Sequence, residues 1–186
     1  MTLSAVLLAG GESRRMGVDK ATIIFRGAPL WERQVGILGE LLPEKIFVSA
    51  REDPPWRPAA TELLLDEPPS RGPLSGLTRA LARMETTHLV ALAVDMPFMT
   101  IEQMRLLCGL AMPGCGVVPM IGERAEPLAA IYPRESAPDF AAALAGRDFS
   151  LQGLVRKLAA ANKIQIVSVP ENAEHLYRSV NERGDF

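Results

Sequence analysis

Short, continuous apolar runs recur along the chain at 4–9, 45–49, 63–65, 89–94, 116–119, 128–132 and 163–169, and segments of helical period separate them. A strand that is apolar on both faces has to be covered on both faces, the condition of a parallel sheet whose crossover helices pack above and below it. The intervening segments fit that role. Trp31, Val35, Leu38 and Leu42 recur at helical spacing, as do Leu74, Leu77, Leu81 and Met84. Thr100 and Gln103 form a capping box that opens a third helix through Leu106, Leu107 and Leu110. Segments 138–145 and 151–161 supply two more, the second with Ser150 at its N-cap. The expectation is an α/β fold in three layers, Rossmann-like, with a mostly parallel central sheet and helices on both faces. In such a fold the ligand cleft lies at the carboxyl ends of the strands.

At 186 residues the chain is expected to form one domain. With 48% hydrophobic and 23% charged residues and a net charge of -2, it has the balance of an ordinary globular protein. No basic block interleaved with aromatics is present, so nucleic acid is not an expected partner. The apolar run near the start is too short for a signal peptide or a membrane span, and a cytoplasmic location without membrane partners is expected. Cys108 and Cys115 stand outside any Cys-x-x-Cys or Cys/His ligand spacing and read as reduced thiols.

The first strand runs straight into Leu8-Ala9-Gly10-Gly11-Glu12-Ser13-Arg14-Arg15-Met16-Gly17-Val18-Asp19-Lys20. Glycines let backbone amides approach a ligand closely, and Arg and Lys neutralise several phosphate charges at once. The composition suits a triphosphate cradle, although a solvated basic loop would share it. The loop is neither a Walker motif nor the dinucleotide Gly-x-Gly-x-x-Gly, because Gly10 and Gly11 are adjacent and no Gly-Lys-Ser/Thr follows.

Two acidic positions stand at strand ends. Asp95, in Asp95-Met96-Pro97-Phe98, follows a strand of apolar residues and emerges at the expected cleft edge. Such an aspartate can simply form a turn, but magnesium takes oxygen ligands from one or two carboxylates plus substrate phosphates, and Asp95 is favoured as a metal ligand. Asp66 follows the short strand at 63–65, and Arg71-Gly72-Pro73-Leu74-Ser75-Gly76 then turns into a helix whose first amides would face the cleft. A turn and helix cap would use the same residues.

The ordered string Leu-Ala-Gly-Gly-x-Ser-x-Arg-Met-Gly-x-Asp-Lys over residues 8–20 resembles the signature of the molybdenum cofactor guanylyltransferases and their nucleotidyltransferase relatives. The resemblance implies a nucleotidyltransferase fold, with 1–100 as its nucleotide-binding part and 101–186 as its acceptor-binding part. It implies that Leu8, Ala9 and Gly10 face the base, that Gly11 and Ser13 belong to the same loop, and that Lys20 contacts the phosphates. Asp66, Gly72, Pro73, Ser75 and Gly76 resemble the family segment beside base and ribose. Asp95 matches its magnesium-binding Asp-x-Pro. The segment from Glu126 through Pro127 to Tyr132 is similar to a family strand near the acceptor, although an edge strand would also explain it. There are departures. Ser49-Ala50-Arg51 stands where relatives often carry an Asn near the base, and of the closing Asn-x-Asn-Thr-Pro only Asn181 is retained.

The implied activity is transfer of GMP from GTP to molybdopterin or the molybdenum cofactor, with Mg2+ as cofactor and transient contact with cofactor-synthesis proteins or molybdoenzymes. A cytidylyltransferase acting on the same acceptor, or a non-catalytic nucleotide- or pterin-binding domain, are the alternatives. An acceptor phosphate monoester, with a second pKa of about 6, is largely ionised at neutral pH and needs no general base. His88 and His175, both outside the motifs, are accordingly read as structural. The catalytic set is then Lys20, Arg14, Arg15 and Asp95, working by charge neutralisation and alignment.

Overall fold

The structure, a computed structural model, describes residues 1–10, 19–66 and 69–180. In chain order the strands are β1 (Leu3–Leu8), β2 (Ile24–Phe25), β3 (Ala28–Pro29), β4 (Lys45–Ala50), β5 (Glu62–Leu65), β6 (His88–Ala93), β7 (Gly116–Ile121), β8 (Arg124–Ala125), β9 (Ala129–Pro133) and β10 (Ile164–Ser168). The α-helices are α1 (Leu30–Gly39), α2 (Pro73–Arg83), α3 (Ile101–Leu110), α4 (Ala137–Ala145) and α5 (Leu151–Ala160). The seven strands expected from the apolar runs all form, within two residues of the expected bounds at either end.

The main sheet has the order β10-β7-β9-β6-β1-β4-β5. β5, β4, β1 and β6 pair in parallel, β9 runs antiparallel between β6 and β7, and β10 is again parallel to β7. The short β8 pairs antiparallel with β7 beside this path, so the sheet is mostly parallel with two reversed strands, β9 and β8. Its two sides carry separate cores because successive side chains of a strand point to opposite faces. Ala5 and Leu7 of β1 join Val90 and Leu92 of β6 on the side of α1 and α3. Val6 and Leu8 join Leu89, Ala91 and residues of α2, α4 and α5 on the other. Every residue of β6 is buried, as expected of a central strand covered twice.

Local chemistry sets the helix ends. Thr100 accepts the Gln103 N–H at 3.3 Å, and Ser150 accepts the Gly153 N–H at 3.3 Å. The expected reciprocal half of the capping box does not form: the Gln103 amide instead donates to the Tyr177 hydroxyl at 2.7 Å. Leu42 is not part of the buried face of α1, which ends at Gly39; Leu42 has φ 54° and is 87% exposed. The hairpin β2–β3 was illegible in the sequence, being two residues per strand across a turn in which Arg26 and Gly27 both have positive φ.

His88 is buried and structural, with its ring nitrogens 3.0 Å from the Thr87 hydroxyl and the Met112 carbonyl. Both cysteines are free, and burial pushes the Cys108 thiol up to about 11, leaving it protonated at neutral pH. Among the described residues no helix is long and apolar enough to cross a membrane.

One glycine marks the tightest approach within the sheet. A Cβ on Gly116 of β7 would meet the Ile131 carbonyl oxygen at 2.1 Å, and backbone cannot yield as a flexible side chain would. Gly116→Ala is expected to destabilise the fold by about 3 kcal/mol, the upper range for overpacking. Chemical denaturation checks this, and a loss below about 1 kcal/mol would contradict the close approach.

Candidate active site

Strand register brings the expected site residues to one edge. Leu8 of β1 pairs with Ser49 of β4 and with Ala93 of β6, and Ser49 pairs with Leu64 of β5. Two residues beyond these positions stand Gly10, Asp95 and Asp66, on three separate strand ends at the carboxyl edge of the parallel sheet. The chain leaving β1 is tied to β4 by the Ala9 N–H, which donates to the Ser49 carbonyl at 2.9 Å. Asp66 is likewise fixed by its N–H, which donates to the Ala50 carbonyl at 2.8 Å.

These strand ends surround a cleft of about 550 Å³. Leu8, Ala9, Gly10, Lys20, Asp66, Gly72, Pro73 and Asp95 line it, together with Ser49 and Leu128. Ser75 and Gly76 stand behind this wall. The Ser75 hydroxyl accepts the Arg71 N–H at 2.9 Å, and Gly76 lies so close to Ser49 that a Cβ would fall 2.3 Å from its hydroxyl oxygen. Gly11, Ser13, Arg14, Arg15 and Asn181 lie outside the described residues. Pro127 is buried, and its carbonyl accepts the Tyr132 hydroxyl at 2.8 Å, so its part in the architecture is to anchor the start of β9.

Asp66 is 7% exposed. Its Oδ2 accepts the Ser70 hydroxyl at 2.7 Å, and the same hydroxyl accepts the Gly72 N–H at 3.1 Å. Its Oδ1 is buried and, among the described residues, has no hydrogen-bond partner. A buried carboxylate oxygen left unpaired is costly unless a ligand donor completes it. Gly72 precedes α2 with φ 61°, a conformation that favours glycine, and offers no side-chain cap. Pro73 has no N–H to offer, and the Ser75 N–H donates to the Gly72 carbonyl at 3.0 Å, so the start of α2 is closed by its own main chain.

Asp95 sits in the turn after β6, and that turn is held on every side. The Val94 N–H donates to the Leu8 carbonyl at 3.1 Å and the Val180 N–H to the Asp95 carbonyl at 2.8 Å. From α1, the fully buried Gln34 donates to the Met96 carbonyl at 2.5 Å, and Arg33 donates to the Pro97 carbonyl at 3.3 Å. Sequence reading missed Gln34 and Arg33, whose only trace is a polar residue on the inward face of a helix. Burial pushes the Asp95 carboxyl above its ordinary value, and the nearby charge of Lys20 pulls it back in part. Lys20 and Asp95 thus face each other electrostatically across the same cleft.

Asp95 also lines a second, larger and polar cavity of about 1260 Å³ with Arg124, Glu126, His175, Tyr177 and Arg178. Burial raises the pKa of Glu126 against the opposing pull of Arg124, 3.7 Å away. Burial chiefly, and the charge of Glu126 in addition, raise that of Tyr177 against the Gln103 hydrogen bond. Asp95 is the wall common to both spaces. Among the described residues no three His, Cys, Asp or Glu side chains converge into a metal cluster, so Asp95 and Asp66 line the cleft without a protein-only cage.

A mostly parallel sheet covered by helices, with this cleft at its carboxyl edge, is the Rossmann-like nucleotidyltransferase fold. It superposes on a nucleotidyl transferase from Methanothermobacter with a TM-score of 0.76 at 16% identity, covering 99% of this chain and 94% of that one. It also superposes on molybdopterin-guanine dinucleotide biosynthesis protein A from Archaeoglobus fulgidus with a TM-score of 0.66 at 23% identity, covering 99% and 94%. The chain belongs to the MobA-like NTP transferase domain family, which matches residues 5–167. It is 36% identical to a probable molybdenum cofactor guanylyltransferase of Opitutus terrae across 96% of this chain and 89% of the relative. A protein of the same description from Natronomonas pharaonis is 35% identical across 78% of this chain and 75% of the relative.

The raised pKa of Asp95 has a consequence for stability. A carboxyl whose folded pKa lies above its unfolded value binds more protons in the folded state, so stability falls as pH rises from the unfolded value of 3.8 through the folded one. Asp95→Asn removes that penalty. The variant is expected to melt higher than the parent at pH 7, with the difference shrinking as pH falls through the raised folded pKa and largely gone below about 4. Thermal unfolding across pH checks this, and a variant less stable at pH 7 would contradict the assigned cause.

Proposed function

We propose that this protein transfers GMP from GTP to molybdopterin or its molybdenum-bound form, releasing pyrophosphate. The observation that carries the reading is that Lys20 and Asp95 line one cleft together with Gly10, Asp66 and Gly72. The descriptions of the Opitutus and Natronomonas relatives support the choice of donor and acceptor.

In this reading Leu8, Ala9 and Gly10 meet the base, and Asp66 with Gly72 and Pro73 meets base and ribose, with Oδ1 of Asp66, which has no partner among the described residues, accepting a donor from the nucleotide. Ser75 and Gly76 support that wall from behind, Gly76 by allowing α2 to approach Ser49. Lys20 holds the phosphates, and Gly11, Ser13, Arg14 and Arg15 complete the loop around them. The acceptor approaches through the polar cavity on the far side of Asp95, where Pro127 supports the wall and Asn181 follows Val180, whose N–H is bonded to the Asp95 carbonyl.

The cleft fits magnesium, because the Asp95 carboxylate at its edge matches an ion that needs one or two carboxylates and takes most remaining ligands from water and substrate phosphates. Asp95 would hold it, and when bound it neutralises charge on the phosphates. The acceptor phosphate oxygen forms a bond to the α-phosphorus as the bond from that phosphorus to the bridging oxygen breaks, and the electron pair leaves with pyrophosphate. An ionised phosphate needs no base, so the residues supply alignment and positive charge. The ammonium of Lys20 is placed to stabilise charge on the departing group, with Arg14 and Arg15.

Ser49, in the segment that departs from the family pattern, lines the cleft, and a cytidylyl donor is the second reading of the same site. Calorimetric titration with GTP, CTP, ATP and UTP in magnesium separates the two. Tightest binding of GTP is expected, and tightest binding of CTP would move the donor assignment.

Lys20→Ala and Asp95→Ala are each expected to lower turnover by on the order of 10² or more while the fold persists. Pyrophosphate release with GTP, magnesium and the pterin acceptor measures it. Near-normal rates in either variant would refute these roles, and GTP binding by the parent without pyrophosphate release would favour a non-catalytic binding domain.

A further inference from the structure

The turn that carries Lys20 is fastened from outside the cleft. Asp19 commits both carboxylate oxygens. Its Oδ1 accepts the Ala21 N–H at 3.0 Å, capping the short 3-10 turn Lys20–Thr22, and its Oδ2 accepts the indole N–H of Trp56 at 2.7 Å. Its main-chain carbonyl takes the Thr22 hydroxyl at 2.8 Å and the Thr22 N–H at 3.0 Å. The residue immediately before the lysine is thus bonded at three acceptor atoms, and only one of these reaches a distant part of the chain.

That distant part is itself braced. Trp56 stacks on Trp31 of α1, with ring centroids 5.5 Å apart and planes 14° from parallel. In the loop after β4, Arg57 donates to both carboxylate oxygens of Asp53, at 2.7 and 2.9 Å, and to the Thr61 carbonyl at 2.8 Å. Leu30 and Leu38 anchor α1 in the core. A path of contacts therefore runs from a helix anchored in the core through Trp31, Trp56 and Asp19 to Lys20. Packing alone would call for an aromatic ring at position 56; it would not call for an N–H aimed at the carboxylate. A charge-assisted hydrogen bond is stronger and more directional than a neutral one, and suits the fixing of a neighbouring long, rotamer-rich side chain.

We infer that Trp56 is a positioning residue for Lys20, acting through Asp19 to hold the phosphate-side lysine in the cleft before a nucleotide arrives. The inference rests on the reading of Lys20 as a phosphate ligand. Preorganisation of this kind stabilises the bound state by removing ordering entropy that the ligand would otherwise have to overcome.

The two tryptophans of the clasp are the only two in the chain, so near-ultraviolet circular dichroism of indole reports on it. Trp56→Phe removes the N–H donor and keeps a ring against Trp31; Trp31→Phe keeps the N–H bond and changes only the stack. GTP titration in magnesium is expected to show binding weakened roughly five- to tenfold in Trp56→Phe, a discounted value for a partly exposed charged bond, and within about twofold of the parent in Trp31→Phe. KM for GTP should rise in step in Trp56→Phe while KM for the pterin acceptor stays put. In Asp19→Ala, adding Trp56→Phe should change GTP binding by less than about twofold, since the indole has already lost its partner. Equal effects of the two tryptophan variants, or unchanged GTP binding in Trp56→Phe, overturn the inference and leave the functional reading intact. A parent protein that binds no nucleoside triphosphate overturns the functional reading, and the positioning role with it. A dichroism spectrum of the Trp pair unaltered by Asp19→Ala also counts against the clasp.

Discussion

The parallel pairing of β1 with β4 and β6 is the constraint from which the candidate site follows. It aligns Leu8, Ser49 and Ala93 across three neighbouring strands, so the residues that leave those strands arrive at one edge together. A slip of one residue would turn every side chain to the opposite face and send the apolar strand residues out of their two cores. Burial on both faces forbids that slip. The same burial that makes the sheet stable therefore fixes the spacing between Gly10 and Asp95, which no local contact could set.

Placing a carboxylate at the end of a fully buried strand opposes stability, because burial disfavours its charge. The turn carrying Asp95 is held by main-chain bonds to Leu8 and Val180 and by the side chains of Gln34 and Arg33, so the backbone position of the carboxylate is fixed. Asp66 is buried too, with one oxygen bonded to Ser70 and one that has no partner among the described residues. Two acidic groups retained against desolvation at one cleft are understandable where a cation and the donors of a nucleotide restore what burial takes away. Lys20 supplies part of that compensation across the cleft.

The sheet was legible because fully buried parallel strands read as apolar runs, and because Thr100 and Ser150 carry caps whose chemistry is local. What escaped depended on contacts between distant segments. Nothing in Gln103 distinguishes a capping partner from a ligand for the Tyr177 hydroxyl, 74 positions away. The helical stripe extended falsely to Leu42 because spacing alone cannot register that the chain has already turned into positive φ. At the site, Gly10, Lys20, Asp66, Gly72 and Asp95 were found from motif and strand-end position. Ser75 and Gly76 share that motif yet line the back of the wall, a difference of one helical turn that spacing does not encode. Gln34 and Arg33 leave only the trace of a polar residue on the inward face of a helix, and Trp56 leaves none, since each acts on a main-chain carbonyl or a carboxylate brought near only by the fold.

The central claim is that Lys20 and Asp95 act on the same phosphates. A crystal structure of the protein with a non-hydrolysable GTP analogue and magnesium tests it most directly. The triphosphate is predicted to lie in the cleft beside Gly10 with the Lys20 ammonium hydrogen-bonded to a phosphate oxygen and the metal held between that group of phosphates and the Asp95 carboxylate. A nucleotide bound elsewhere, or bound in the cleft with its phosphates turned away from either side chain, would contradict it.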